Sequence, residues 1–223
     1  MKAFTYALRK SHRKTLSIYV ERDGRVVVRA PDNLPHEKID EIVKGKEPWI
    51  YRSLAEFQEL NATQVKREIA DGEGFLFMGR SHRLRIEEGL KRPLLLDDGY
   101  FMLDAAEVEN AREHFINFYK QRGKEHIPDR VHRIKDKLGV NPRKIRIMNL
   151  RNRWASTSQR GVNFHWKVML APMTVIDYVI VHELAHFVKP DHSSEFWDLV
   201  GSVMPDYQGQ KAWLRSNGAN LDI

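Results

Sequence analysis

The sequence predicts an α+β protein in which a strand-rich N-terminal part precedes a largely helical core. Three observations predict it. Short alternating apolar runs dominate the first hundred positions, the apolar period lengthens to that of helices from Ala105, and one strongly apolar helix near residues 174–189 carries two histidines four apart. The shift of period puts a domain boundary near Asp104, with residues 1–104 a strand-rich domain holding one helix and residues 105–223 the core.

Each element has a local reason. Residues 15–20 alternate, Asp23-Gly24 supplies a two-residue hairpin turn, and residues 25–29 answer it. Residues 31–35, bounded by prolines, form a loop. A helix over 37–60 follows, with Ile39, Ile42, Val43, Trp49, Ile50, Leu54 and Phe57 as its apolar stripe and a break near Pro48. Residues 75–78, 82–86, 94–96 and 100–103 continue the strand pattern, separated by Gly and Asp. Phe115, Ile116, Phe118, Tyr119, Ile127, Val131, Ile134 and Leu138 then suit one long helix or two, the second starting near Pro128. Gly139 and Asn141-Pro142 stop it. Residues 144–148 read as a strand, 153–158 as a turn and 161–166 as a strand. Thr174 with Asp177 three positions on resembles a capping box opening the histidine helix. After His192, Ser193 or Ser194 can cap a helix holding Phe196 and Trp197, and a final short helix holds Trp213 and Leu214.

The histidine helix carries the chemistry. His182-Glu183-Leu184-Ala185-His186 is followed, after five intervening residues, by His192. Four residues on a helix rise about 6 Å and turn just past one revolution, so His182 and His186 share a face. Two imidazoles so placed can reach one tetrahedral Zn²⁺, and Glu183 can reach a water there without ligating the metal. Pro190 disfavours helix at Lys189, so the chain can turn back and bring His192 to the ion. Three protein ligands and one open position suit a catalytic zinc rather than a structural one. The competing reading is that these are ordinary polar residues of a core helix. Val175, Ile176, Val179, Ile180, Val181, Leu184, Phe187 and Val188 make that helix apolar nearly all round, where unpaired His and Glu would be costly to bury.

Composition narrows the classes. No cysteine occurs, which excludes disulfides, Cys-rich zinc fingers and a Cys nucleophile, and suits a reducing compartment. The first residues are charged without an apolar stretch, and no apolar run nears the roughly 20 residues that span a bilayer, so a cytoplasmic protein without a membrane partner is expected. The net charge is +7, and residues 105–160 hold 14 Lys/Arg against 6 Asp/Glu. Arg130, Arg133 and Lys137 would line one helix face, a stripe that can attract nucleic acid or acidic proteins and is otherwise a solvated surface.

Residues 153–156, Gly161 to Trp166, Ala171-Pro172, 175–186, His192-Ser193, Phe196-Trp197 and Pro205-Asp206-Tyr207 follow one another in an order that resembles the YgjP-like metal-dependent hydrolases, zincins related to the SprT and Wss-type proteases. Residues 9–14, 24–31 and Trp49-Ile50 extend the resemblance over nearly the whole chain. It implies a zincin-like core, with the active-site helix packed on a small mixed sheet, one Zn²⁺ per chain on His182, His186 and His192, and Glu183 as general base. The chain departs from the family pattern at Ala155 and Thr157, where Gly and Cys are usual, and at His165, where Asn is frequent. Neither change is expected to touch the metal site, but either can alter the substrate-facing edge. Lys189 stands where metzincins with the same spacing carry glycine, so the turn must be made differently.

The expected function is a zinc metallopeptidase. Tyr207 is the candidate for stabilising the oxyanion, with Arg153 and His165 as further candidates. The expected partner is a polypeptide substrate added as an extra strand beside the active-site helix, along residues 161–166. Alternatives are a nucleic-acid-associated protease tethered by the basic 105–160 stretch, a non-catalytic metal-binding module, and a zinc hydrolase of another bond. The sequence names neither the substrate nor the oligomeric state.

Overall fold

The computed structural model describes residues 4–21, 23–62, 67–150, 153–159 and 161–223, which form an α+β fold. Two compact units divide it, Met1–Gln64 and Val65–Ile223. Among the described residues no helix is long and apolar enough to cross a membrane.

The first unit holds strands β1 (Tyr6–Ser11), β2 (Ser17–Val20) and β3 (Val26–Pro31) and helices α1 (His36–Gly45) and α2 (Glu47–Ala62). β3 is central, parallel to β1 and antiparallel to β2, and Gly24 at φ 83° makes the expected hairpin turn. Val26, Val28 and Ala30 bury against Ile39, Val43 and Ile50. The helix breaks where Pro48 falls in the first turn of α2, the position at which its missing N–H costs nothing.

The second unit begins with a four-stranded sheet, β4 (Gly74–Phe77), β5 (Arg80–Glu87), β6 (Leu94–Asp97) and β7 (Tyr100–Asp104), in the order β4-β5-β7-β6. A 3-10 turn, Ala105–Asn110, leads into α3 (Ala111–Leu138). A second sheet has β8 (Ile145–Met148), β9 (Ala155–Ser158) and β10 (Gly161–His165), ordered β8-β10-β9. Helices α4 (Met173–Ala185), α5 (Ser194–Val203) and α6 (Tyr207–Asn217) complete it.

The units part well before Asp104, where the change of period had suggested a boundary. Aromatic packing explains the difference. Phe75 on β4 stacks on Phe115 of α3 with centroids 4.4 Å apart, Phe101 on β7 meets Phe115 at 5.0 Å, and Tyr119 stacks on Trp166 at 5.7 Å. Strands β4–β7 therefore share one core with α3 and α4.

Other expectations change with context. α3 runs unbroken through Pro128, because Phe115, Tyr119, Gly123, Ile127 and Val131 keep one buried stripe at steps of four across it. That packing outweighs the roughly 3 kcal/mol a mid-helix proline costs. Gly139 ends the helix as expected, left-handed at φ 64°. Residues 155–158, read as part of a turn, are strand β9, since pairing with β10 supplies what its Ala-Ser-Thr-Ser sequence lacks in strand propensity. Thr174 does not cap α4. The helix starts at Met173 behind Pro172, and Asp177 turns instead to Arg130.

Gly161 is the tightest point of the second sheet. Its φ is 147°, and a Cβ there would sit 2.0 Å from the carbonyl oxygen of Lys144. Gly161→Ala should therefore cost at least about 2 kcal/mol by urea denaturation, from strain and displacement of β8. A loss under about 0.5 kcal/mol would show that the backbone relaxes freely there.

Candidate metal centre

His182 lies in the last turn of α4, and His186 follows as its C-cap while still in right-handed helical conformation (φ −65°, ψ −16°). The four-residue spacing thus survives although the helix ends at Ala185, earlier than Lys189. Phe187 N–H donates to Leu184, and Val188 and Lys189 both donate to the Ala185 carbonyl, which closes a tight turn before Pro190. Among the described residues only Met78 and Asp98 are non-glycine residues at positive φ, so Lys189 makes this turn without the left-handed conformation a glycine would serve. The Lys189 carbonyl faces His186 Nδ1 at 3.2 Å, and its ammonium pairs with Glu195.

The turn returns His192 to the helix. Ligand-capable atoms of His182, His186 and His192 all lie within 4.8 Å of one another, and His182 Nε2 is 3.1 Å from His192 Nε2. Two nitrogens on a tetrahedral zinc stand about 3.3 Å apart, close to the His182–His192 separation, and the three imidazoles together could hold a metal ion. With Nδ1 of His186 donating to Lys189, its Nε2 keeps its lone pair for a metal. Among the described residues His182 Nδ1 is buried without a hydrogen-bond partner.

Apolar walls set the electrostatics. Buried Phe196 touches all three imidazoles, at ring distances of 5.1, 4.7 and 4.9 Å from His182, His186 and His192. Trp197 stacks on His192, Tyr207 stacks on Trp197 at 5.4 Å, and Lys211 Nζ lies 3.8 Å over the Trp197 ring. Burial, then its two neighbouring histidines and Lys211, pushes His182 down to about 3. Burial first also lowers His186 and His192. At neutral pH the rings are uncharged, the state in which imidazole binds metal.

Glu183 is 7 % exposed. Burial raises its pKa, opposed by a hydrogen bond from Thr157 and by the charge of Arg153. Thr157 Oγ1 lies 2.6 Å from Glu183 Oε2 and 2.8 Å from the Glu183 carbonyl oxygen. The position expected to stand clear of the metal site thus touches its carboxylate. It was hidden because residues 153–158 read as a turn, whereas the alternation of a strand points Ala155 and Thr157 to one face.

The remaining candidates separate. Tyr207 begins α6, half-buried on Trp197, and its field reaches Tyr178, which burial, Tyr207 and Glu183 push up to about 12. Arg153 is exposed and acts on Glu183 through its charge. His165 is buried. Its Nδ1 accepts from Lys167 N–H at 3.0 Å, it has a backbone hydrogen bond with Leu150, and burial, then Lys167, pushes it down to about 4. Of the basic stripe, Arg130 is half-buried and paired with Asp177 of α4, whereas Arg133 and Lys137 are exposed. Arg160 lies outside the described residues.

His165 generates a pH dependence. Its native pKa is about 4 against 6.5 unfolded, so the unfolded chain binds the extra proton and stability falls as pH drops from 6.5 to 4. His165→Asn keeps an acceptor for Lys167 and removes the titration. Denaturation at pH 7 and pH 5 should show a smaller acid loss in the variant; equal losses would contradict this role.

A search of curated proteins gives no match. Among solved structures the chain is similar to the metallopeptidase zymogen of Pyrococcus abyssi abylysin, at 27% identity and a TM-score of 0.39, over 44% of this chain and 99% of that one. The family model for the YgjP-like metallopeptidase domain matches residues 14–217, a span that holds every residue of the histidine cluster, Glu183 and Thr157. This chain belongs to the YgjP-like metallopeptidase family.

Proposed function

We propose that this protein is a zinc-dependent peptidase in which His182, His186 and His192 hold one Zn²⁺ and Glu183 is the general base. The convergence of three uncharged imidazoles beside one buried carboxylate carries the reading. Zinc bound there supplies a Lewis acid and lowers the pKa of water from about 15.7 towards 7. Glu183 takes the proton of the attacking water and delivers it to the leaving amine. Tyr207, a phenol on the Trp197 side of the cluster, is the proposed donor to the substrate carbonyl oxygen as charge develops on it.

The substrate strand is proposed to pair with β9. Residues 161–166 cannot provide the edge, because β10 is paired on both sides. β9 lies against α4 and pairs only with β10 among the described residues. The His165 N–H to Trp154 carbonyl bond of 2.7 Å sets the antiparallel alternation. By that alternation Ser156 and Ser158 bond inward, leaving the N–H and C=O groups of Ala155 and Thr157 towards the free edge. Backbone pairing implies loose sequence preference. A nucleic-acid tether gains no support here, since Arg130 is engaged by Asp177.

Purified protein should hold about one zinc per chain by elemental analysis, and His192→Ala should bind it far more weakly. Glu183→Gln should keep the zinc and lose about 10²–10⁴ in hydrolysis of an unfolded-protein or peptide library. Tyr207→Phe should lose about 10² in kcat. Stoichiometric zinc in a triple His→Ala variant would remove the metal assignment, and full activity in Glu183→Gln would remove the base.

A further inference from the structure

We propose that Thr157 is the positioning residue of the Glu183 carboxylate: its hydroxyl ties down Oε2 and leaves Oε1 as the oxygen that accepts the proton. This rests on Glu183 acting as the base. Thr157 has one hydroxyl proton and two acceptors on Glu183, Oε2 at 2.6 Å and the main-chain oxygen at 2.8 Å. The second contact has a cause in the end of α4. Glu183 lies in the last turn, and Phe187 N–H, which would continue the helical ladder to it, bonds Leu184 instead. The Glu183 carbonyl is therefore one of the unsatisfied groups of a helix C-terminus, and the threonine supplies its donor. One side chain thus caps the helix at the residue whose carboxylate it orients.

Thr157 is itself held firmly. Its β carbon is branched, which restricts χ1, and it sits opposite fully buried Val162 in the β9–β10 register. Among the described residues no other hydrogen bond to the Glu183 carboxylate occurs, so the bond on Oε2 distinguishes its two oxygens. When Oε1 takes a proton from water, Oε2 becomes the carbonyl-like oxygen and still accepts from Thr157. The same hydroxyl therefore serves before and after transfer. Without it, the carboxylate can rotate away from the reacting atoms, and misplacement near 1 Å costs up to about 10² in rate.

The test compares Thr157→Val and Thr157→Ser as full-length, zinc-loaded proteins, with kcat, KM, zinc content and thermal stability measured on a peptide the wild type cleaves. Val should lower kcat about tenfold or more with KM within about twofold and zinc retained, while Ser should stay within about threefold of wild type. A crystal structure of Thr157→Val should show the Glu183 carboxylate in more than one orientation. A Val variant with wild-type kcat, or a Ser variant as impaired as Val, overturns the proposal. If Val does not fold, Thr157→Cys replaces it, a weak donor of similar size; Cys slower than Ser supports the proposal and Cys equal to Ser overturns it. Glu183→Gln, assayed in parallel, separates the two readings. An active Gln variant removes the base itself, whereas an inactive Gln beside an unimpaired Val removes only the positioning role.

Discussion

Helix α4 lies in the core with Val175, Ile176, Ile180 and Leu184 no more than 1 % exposed, so the polar groups it carries must find partners elsewhere in the chain. Three separate segments supply them. Arg130 of α3 grips Asp177 with both arms of its guanidinium, in place of the helix cap that residue was expected to form. Thr157 of β9 bonds Glu183. His192, beyond the turn at Pro190, meets His182 and His186. The arrangement of strand, long helix and returning loop around α4 is thus a set of answers to one burial problem.

That burial has opposite effects on the two kinds of titratable group. It disfavours charge, so it lowers the three histidines and raises Glu183. Neutral imidazoles are ready ligands, and a carboxylate with raised proton affinity is a better acceptor. Phe196 and Trp197 produce the low-polarity surroundings, and Lys211, held over Trp197, adds a positive charge that further opposes protonation of His182 and His192. Thr157 and Arg153 act the other way on Glu183 and keep its ionised form accessible.

What could be read from the sequence was local. The spacing of His182, Glu183, His186 and His192 and the Pro190 turn are written in ten or so consecutive residues, as are the Asp23-Gly24 hairpin, the break near Pro48 and the stop at Gly139. The rest depends on distant partners. Nothing near Pro128 shows that a buried stripe will carry α3 through it. Nothing near Asp104 shows that Phe75 and Phe101 pack on Phe115. β9 has no strand-like run of branched or aromatic residues, and its identity comes from β10. Thr157 was visible as a departure from the family pattern, but its role was not, because a turn gives no rule for where a side chain points.

The low strand propensity of β9 places unusual weight on its register. Its sequence, Ala-Ser-Thr-Ser, offers hydroxyls on both faces, so a slip of one residue would turn Thr157 away and present a serine to Glu183 instead. Side-chain chemistry alone therefore does not select the threonine. The backbone pairing of β9 with β10 does. At one end of that pairing His165 N–H bonds the Trp154 carbonyl, while the His165 ring is held by Lys167 N–H. On its other side β10 is set against β8, where Gly161 sits so close to the Lys144 carbonyl that no side chain fits and Val162 N–H bonds that same carbonyl at 2.9 Å. The placement of Thr157 beside the Glu183 carboxylate thus depends on the β9–β10 register, which the His165–Trp154 bond holds at one end.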